Sequence, residues 1–274
     1  MSKLILTLAF FLLLLGMEAK AETLVLEPNK DNTLYEDAAG QLSNGSGQYL
    51  FMGRTGGDKG VDRLLRRALL SFDLSAIEPG SIITNAELQI SIDQVPIGAF
   101  GGSSSVHRLL GDWGEGSSDA WGAEGQGIQA QSGDATWIHS FFTSDLWITA
   151  GGDFIGSASQ SASFGSTTQV LTFTSSEGLT ADVETWVNQP NSNFGWIVLG
   201  DEPSVQNARR FSSRENVNQG MRPRLTVEYT PVLAPQSVPA MSRVALMLLP
   251  GLMLVILWFN KKPGLVRTSS ARPD

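Results

Sequence analysis

Between residues 22 and 229, turn-forming residues break the chain every ten to fifteen positions, and the runs between them are short. Runs at 23–26, 49–52, 68–72, 86–92, 106–110, 169–174, 195–199, 210–212 and 224–229 are rich in apolar and β-branched side chains. Several alternate apolar with polar residues, the period of a strand with one wet face. In 86–92, Leu88, Ile90 and Ile92 should face inward while Glu87, Gln89 and Ser91 face out. Many short strands with few helices predict an all-β protein, an antiparallel sandwich or barrel. One helix is expected, where Leu179, Val183, Trp186 and Val187 recur at helical spacing, with Thr180 placed to cap it and Pro190 to stop it.

The two ends differ from this pattern. Lys3 precedes an apolar run over 4–15, and Ala19, Lys20 and Ala21 supply a small-x-small cleavage pattern, so 1–21 reads as a signal peptide. Near the other end, 244–259 is a 16-residue run without a charge. As a helix it would be about 24 Å long, short against a bilayer core of about 30 Å. Lys261, Lys262, Arg267 and Arg272 follow it, and such a basic excess stays on the cytoplasmic side. The expected order is a signal peptide (1–21), one β domain (22–229), a Pro-rich linker (230–239) and a transmembrane or sorting segment (240–274). A hydrophobic helix would then flank the domain on each side.

Residues 22–235 carry 25 acidic and 12 basic side chains, a formal charge of −13, which argues against nucleic acid as a partner. There is no cysteine, so a domain of this size must be held by its core alone. Its chemistry is sparse. The only histidines are His107 and His139; His139 lies near Asp145, but no cysteine or nucleophile-elbow motif accompanies it. The glycine-rich stretches 111–116 and 122–127 contain acids and lie in no strand-turn-helix context, so they are not phosphate loops. No enzyme activity is expected. Arg209, Arg210, Arg214, Arg222 and Arg224 are expected to form ion pairs with Glu215, Glu228 or the acids near Asp201, rather than to grip acidic sugars.

Residues 98–165 are dense in Gly and Ser yet hold Trp113, Trp121, Trp137 and Trp147, so long ordered loops are expected. Buried indoles would make a satellite core under the loops, and exposed ones a platform for the apolar face of a sugar ring. Trp113 and Trp137 are assigned to the core, Trp121 and Trp147 to the platform.

The order of motifs carries a resemblance. Residues 31–36 (DNTLYE), 67–73, 86–88, 112–116 (DWGEG), 133–137 (GDATW), Asp182 with Trp186, 193–196 (NFGW), 210–215 (RFSSRE) and 222–225 resemble the DNRLRE-domain proteins over nearly all of 23–229. Thr33 and Tyr35 stand where the family's name has arginine. The resemblance implies a jelly-roll antiparallel β-sandwich similar to carbohydrate-binding modules, with one structural calcium. Hard oxygen ligands suit calcium; no EF-hand pattern exists, and the candidate ligands are Asp31, Asp73, Asp153 and Asp182, each at a strand or loop edge. The tail, with Val238-Pro239 ahead of the hydrophobic span and its basic end, resembles PEP-CTERM and IPTL-CTERM sorting signals, though Met241-Ser242-Arg243 stands where such signals often carry an acid and a tryptophan. That implies a sorting protease as partner, transient anchoring in the membrane, and a destination in the cell envelope or outside. The expected function is an exported, surface-associated, non-catalytic module that binds polysaccharide or an extracellular-matrix glycan. A protein-binding adhesin or scaffold is the alternative, and a polysaccharide-active enzyme ranks third.

Overall fold

The computed structural model describes residues 20–57 and 63–232. The signal peptide except its last two residues, and everything after Val232, lie outside the described residues, and with them both expected terminal helices. Among the described residues no helix is long and apolar enough to cross a membrane.

The described chain is all-β with one α-helix. Its strands are β1 (Glu22–Leu26), β2 (Lys30–Tyr35), β3 (Leu42–Ser43), β4 (Tyr49–Arg54), β5 (Leu65–Ser71), β6 (Ile82–Gln94), β7 (Gly102–Arg108), β8 (Ile128–Gln129), β9 (His139–Phe141), β10 (Asp145–Leu146), β11 (Gln160–Phe164), β12 (Gln169–Phe173), β13 (Trp196–Leu199), β14 (Arg209–Ser212) and β15 (Arg224–Thr230). Eleven form one antiparallel sheet, in the order β1-β15-β6-β14-β4-β5-β13-β7-β11, with β12 added to β6 and β2 to β5. Each of the nine runs expected as strands overlaps a strand, although β7 ends at Arg108 and leaves Leu109 and Leu110 of the run 106–110 outside it.

The sheet curls at β4, whose first residues pair with β14 while Gly53 and Arg54 pair with β5. Gly53 sits at φ +99°, a conformation open to glycine and costly for residues with a Cβ. Curling brings the two halves onto one core. Leu88, Ile90 and Ile92 of β6, Leu225 and Val227 of β15, and Leu50 and Met52 of β4 meet Ala68 and Leu70 of β5, Val106 of β7, and Trp196 and Val198 of β13. Helix α1 (Glu177–Asn188) adds Leu179, Val183, Trp186 and Val187, with Trp186 edge-on to Trp196 at 4.6 Å. Its N-cap corrects the sequence reading. Ser176, not Thr180, caps it, the Ser176 Oγ accepting from Leu179 N at 3.1 Å, because the helix starts at Glu177, two residues before its first apolar position.

The opposite face of β2, β5 and β13 is also apolar, through Leu34, Leu69 and Ile197, and the tryptophan loops cover it. Trp113, Trp137 and Trp147 pack there with Leu109 and Ala135. The long loops are therefore a second core's lid, stiffened by the ladders β3–β8 and β9–β10.

Candidate functional site

A groove lies on the outer face of the sheet where strands β4, β14 and β6 run side by side. Arg210 is directly opposite Phe51 on one side and Gln94 on the other, and directly opposed residues share a face. The chain neighbours Leu50, Met52 and Phe211 point into the core, and the register shift between Ile92 and Gln94 keeps Gln94 opposite Arg210, so Phe51, Arg210 and Gln94 form one row. With Arg66 of β5, Ala123 and Gly125 they line a cavity of about 250 Å³.

The cations in this groove are already held. Arg210 lies over the Tyr49 ring at 3.6 Å and donates Nε and Nη2 to the Asp93 carboxylate at 3.0 and 3.1 Å. Arg66 stacks on Tyr35 and donates to the carbonyls of Leu65 and Gly125; burial holds its guanidinium below its ordinary pKa. The groove thus offers a largely apolar surface whose guanidinium groups are already engaged.

The loop that brings Ala123 and Gly125 to the groove is pinned by Glu124. This buried carboxylate accepts from Asn44 Nδ2 and Tyr49 N, both at 2.9 Å, and from Gln48 N at 3.3 Å, while the Glu124 carbonyl accepts from the Tyr35 hydroxyl. Burial raises its pKa, and these hydrogen bonds pull the other way. Glu124 has φ +61°, a strained setting that its anchoring contacts stabilise. Three residues earlier, Trp121 is 88 % exposed.

The second feature is a carboxylate cluster. Asp31 of β2, Glu115 in the loop after β7 and Glu215 in the loop after β14 each offer an oxygen, all within 4.8 Å of one another. Glu115 Oε1 accepts from Asp31 N at 2.8 Å, and Asp31 Oδ2 accepts from Arg214 N at 2.8 Å. Arg214 fork-bonds Glu115 and reaches Glu215 Oε1 at 2.9 Å. Burial, then the Glu215 charge, pushes the Asp31 carboxyl well above the usual range; burial likewise raises Glu215, against the pull of Arg214.

Of the four aspartates considered for calcium, only Asp31 belongs to this cluster, and the four are not brought together. Asp73 is exposed and accepts from Ser75 N, which lowers its pKa. Asp153 closes a turn by accepting from Ile148 N and Thr149 N. Asp182 on α1 accepts from Trp196 Nε1 and Ser159 Oγ beside Arg108. Trp121 is displayed as expected, but Trp147 is not. It is 6 % exposed, with Nε1 donating to Thr136 O at 2.9 Å, because the second core has room for a third indole.

His139 shares a hydrogen bond with Thr136, while Asp145 accepts from Ser144, so the two do not engage each other. Among the described residues, three of the five late arginines form ion pairs: Arg210 with Asp93, Arg214 with Glu115 and Glu215, and Arg222 with Glu27. Arg209 is instead buried against carbonyl oxygens and the Phe164 ring. Glu115, Glu215 and Glu124 were not singled out as site residues in the sequence, although Glu115 lies within the DWGEG motif and Glu215 ends RFSSRE. No protein-family model matches this chain, and no curated protein matches it.

Proposed function

We propose that this chain is an exported, surface-associated, non-catalytic jelly-roll β-sandwich module that binds a neutral polysaccharide in the groove of Phe51, Arg210 and Gln94, with Trp121 as the stacking platform. The observation that supports the reading is an 88 % exposed indole two residues from Ala123, which lines the groove, on a loop pinned by Glu124. An indole face accepts the C–H face of a pyranose, while the Gln94 amide suits hydroxyl groups. The acid excess over 22–235 favours neutral over acidic glycans. A glycan array followed by titration of the hits against wild type and Trp121→Ala tests it; loss of binding in the variant is expected, and hits that ignore the substitution reject the platform.

A protein-binding adhesin or scaffold is the second reading, favoured by Ile97 and Phe100, which are exposed on the turn between β6 and β7. The segment 240–274 is proposed as a sorting signal that anchors the protein in the membrane until a sorting protease releases it. Cell fractionation with and without residues 238–274 tests that role; equal release of both forms rejects it.

A further inference from the structure

We propose that Asp31, Glu115 and Glu215 form a binding site for a divalent cation of calcium type, which clamps the start of β2 to the loops that follow β7 and β14. Four observations converge on it. First, the three carboxylates each bring an oxygen to within 4.8 Å of the others, from segments far apart in the chain. Oxygens that close to one another can share a single ion of calcium size, with oxygens at about 2.3–2.6 Å from it. Second, Asp31 is only 1 % exposed, and its Oδ1 has no hydrogen-bond partner; Glu215 Oε2 is buried and unpartnered as well. Buried carboxylate oxygens are ordinarily satisfied by a donor or a cation.

Third, the charges do not balance. Arg214 neutralises one carboxylate's worth of charge, through its fork on Glu115 and its contact with Glu215. Lys30, next to Asp31 in β2, is turned to Asp112 and the carbonyl of Trp113. Two negative charges are left over beside the buried Asp31, and one divalent ion would match them. Fourth, the donor set is oxygen alone, the hard type that calcium selects over transition metals. The cluster shares no residue with the groove, so this proposal and the glycan reading stand or fall separately. The rival occupant is a proton shared by Asp31 and Glu215, which would also relieve the repulsion.

The test uses the full-length chain in a non-ionic detergent, stripped with chelator. Calcium at 100 times its Kd should raise the Tm by about 5–11 °C, with magnesium far less effective. Terbium, a calcium mimic excited through indole, should give saturable luminescence that calcium displaces; Trp113 lies two residues from Glu115. Glu215→Gln should abolish both responses while the stripped variant melts no lower than stripped wild type, since it removes a repelling charge. Asp31→Asn should abolish the luminescence too. A folded, stripped wild type with no saturable terbium signal overturns the proposal. So does a Tm that ignores calcium yet rises on acidification, which assigns the site to a proton, and so does a terbium signal that survives both substitutions.

Discussion

Arg214 grips Glu115 through two donors, Nε to Oε1 at 2.6 Å and Nη2 to Oε2 at 2.8 Å, joining loops 99 residues apart in sequence. The planar fork gives this pair its geometry, and a lysine cannot reproduce it. Arg214→Ala should destabilise the domain by about 1–3 kcal/mol, less than the ~3–5 kcal/mol for a fully buried pair because Arg214 is about one-third exposed. Arg214→Lys should recover only part of the loss. Urea unfolding of the three proteins measures both effects, and wild-type stability in Arg214→Ala would mean that the fork contributes nothing.

The four loop tryptophans divide by burial, and substitutions should divide with them. Trp147→Ala removes a buried ring and leaves Thr136 O without its donor, so a loss of about 3–5 kcal/mol is expected. Trp121→Ala removes an exposed ring, with an expected change within about 0.5 kcal/mol. Chemical denaturation of both variants checks the contrast, and equal losses would contradict it.

Metal-free protein should gain stability on mild acidification. Asp31 and Glu215 hold their protons more tightly in the folded than in the unfolded state, through burial and through neighbouring carboxylates. Their contribution is therefore fully present below the unfolded pKa values and is lost as pH rises through the raised folded ones. The Tm of stripped protein should be higher at about pH 5.5 than at about pH 7.5, and Glu215→Gln should flatten the difference. With calcium the trend should reverse, since the ion competes with protons for the same oxygens. A stripped protein that loses stability steadily on the way down from neutrality would contradict the assignment.

The N-cap offers a sharper local test. Ser176→Ala should cost about 1 kcal/mol through the lost bond to Leu179 N, and Thr180→Ala much less. Thermal unfolding of the pair decides between the two residues; a larger loss at Thr180 would move the cap.

The strands were legible wherever one face meets the core and the other is partly open to water, as in residues 86–90; Ser91, expected to face out, is buried. They were hidden where both faces are buried by different means. β2 reads Lys-Asp-Asn-Thr-Leu-Tyr with no alternation, yet it is a buried strand. Asn32 is satisfied by Ser43 and the Glu115 carbonyl, and Thr33 Oγ1 by Phe51 N. Hydrogen bonding makes those polar residues interior, and hydropathy does not record it. The carboxylate cluster was half visible: an acid at a strand edge drew attention to Asp31, but Glu115 joins it from 84 positions away. Trp147 was misplaced for a similar reason. Its Gly- and Ser-rich setting suggested display, while the apolar outer face of β5 and β13, which receives it, is formed by distant residues such as Leu69 and Ile197.

Isothermal titration of a neutral polysaccharide selected on a glycan array, into wild type and Trp121→Ala, tests the central claim most directly. The account predicts saturable binding to wild type and an affinity at least about tenfold lower in the variant, equivalent to about 1.4 kcal/mol, with the Tm unchanged. Equal affinities for the two proteins, or no binding to any glycan by folded wild type, would contradict it.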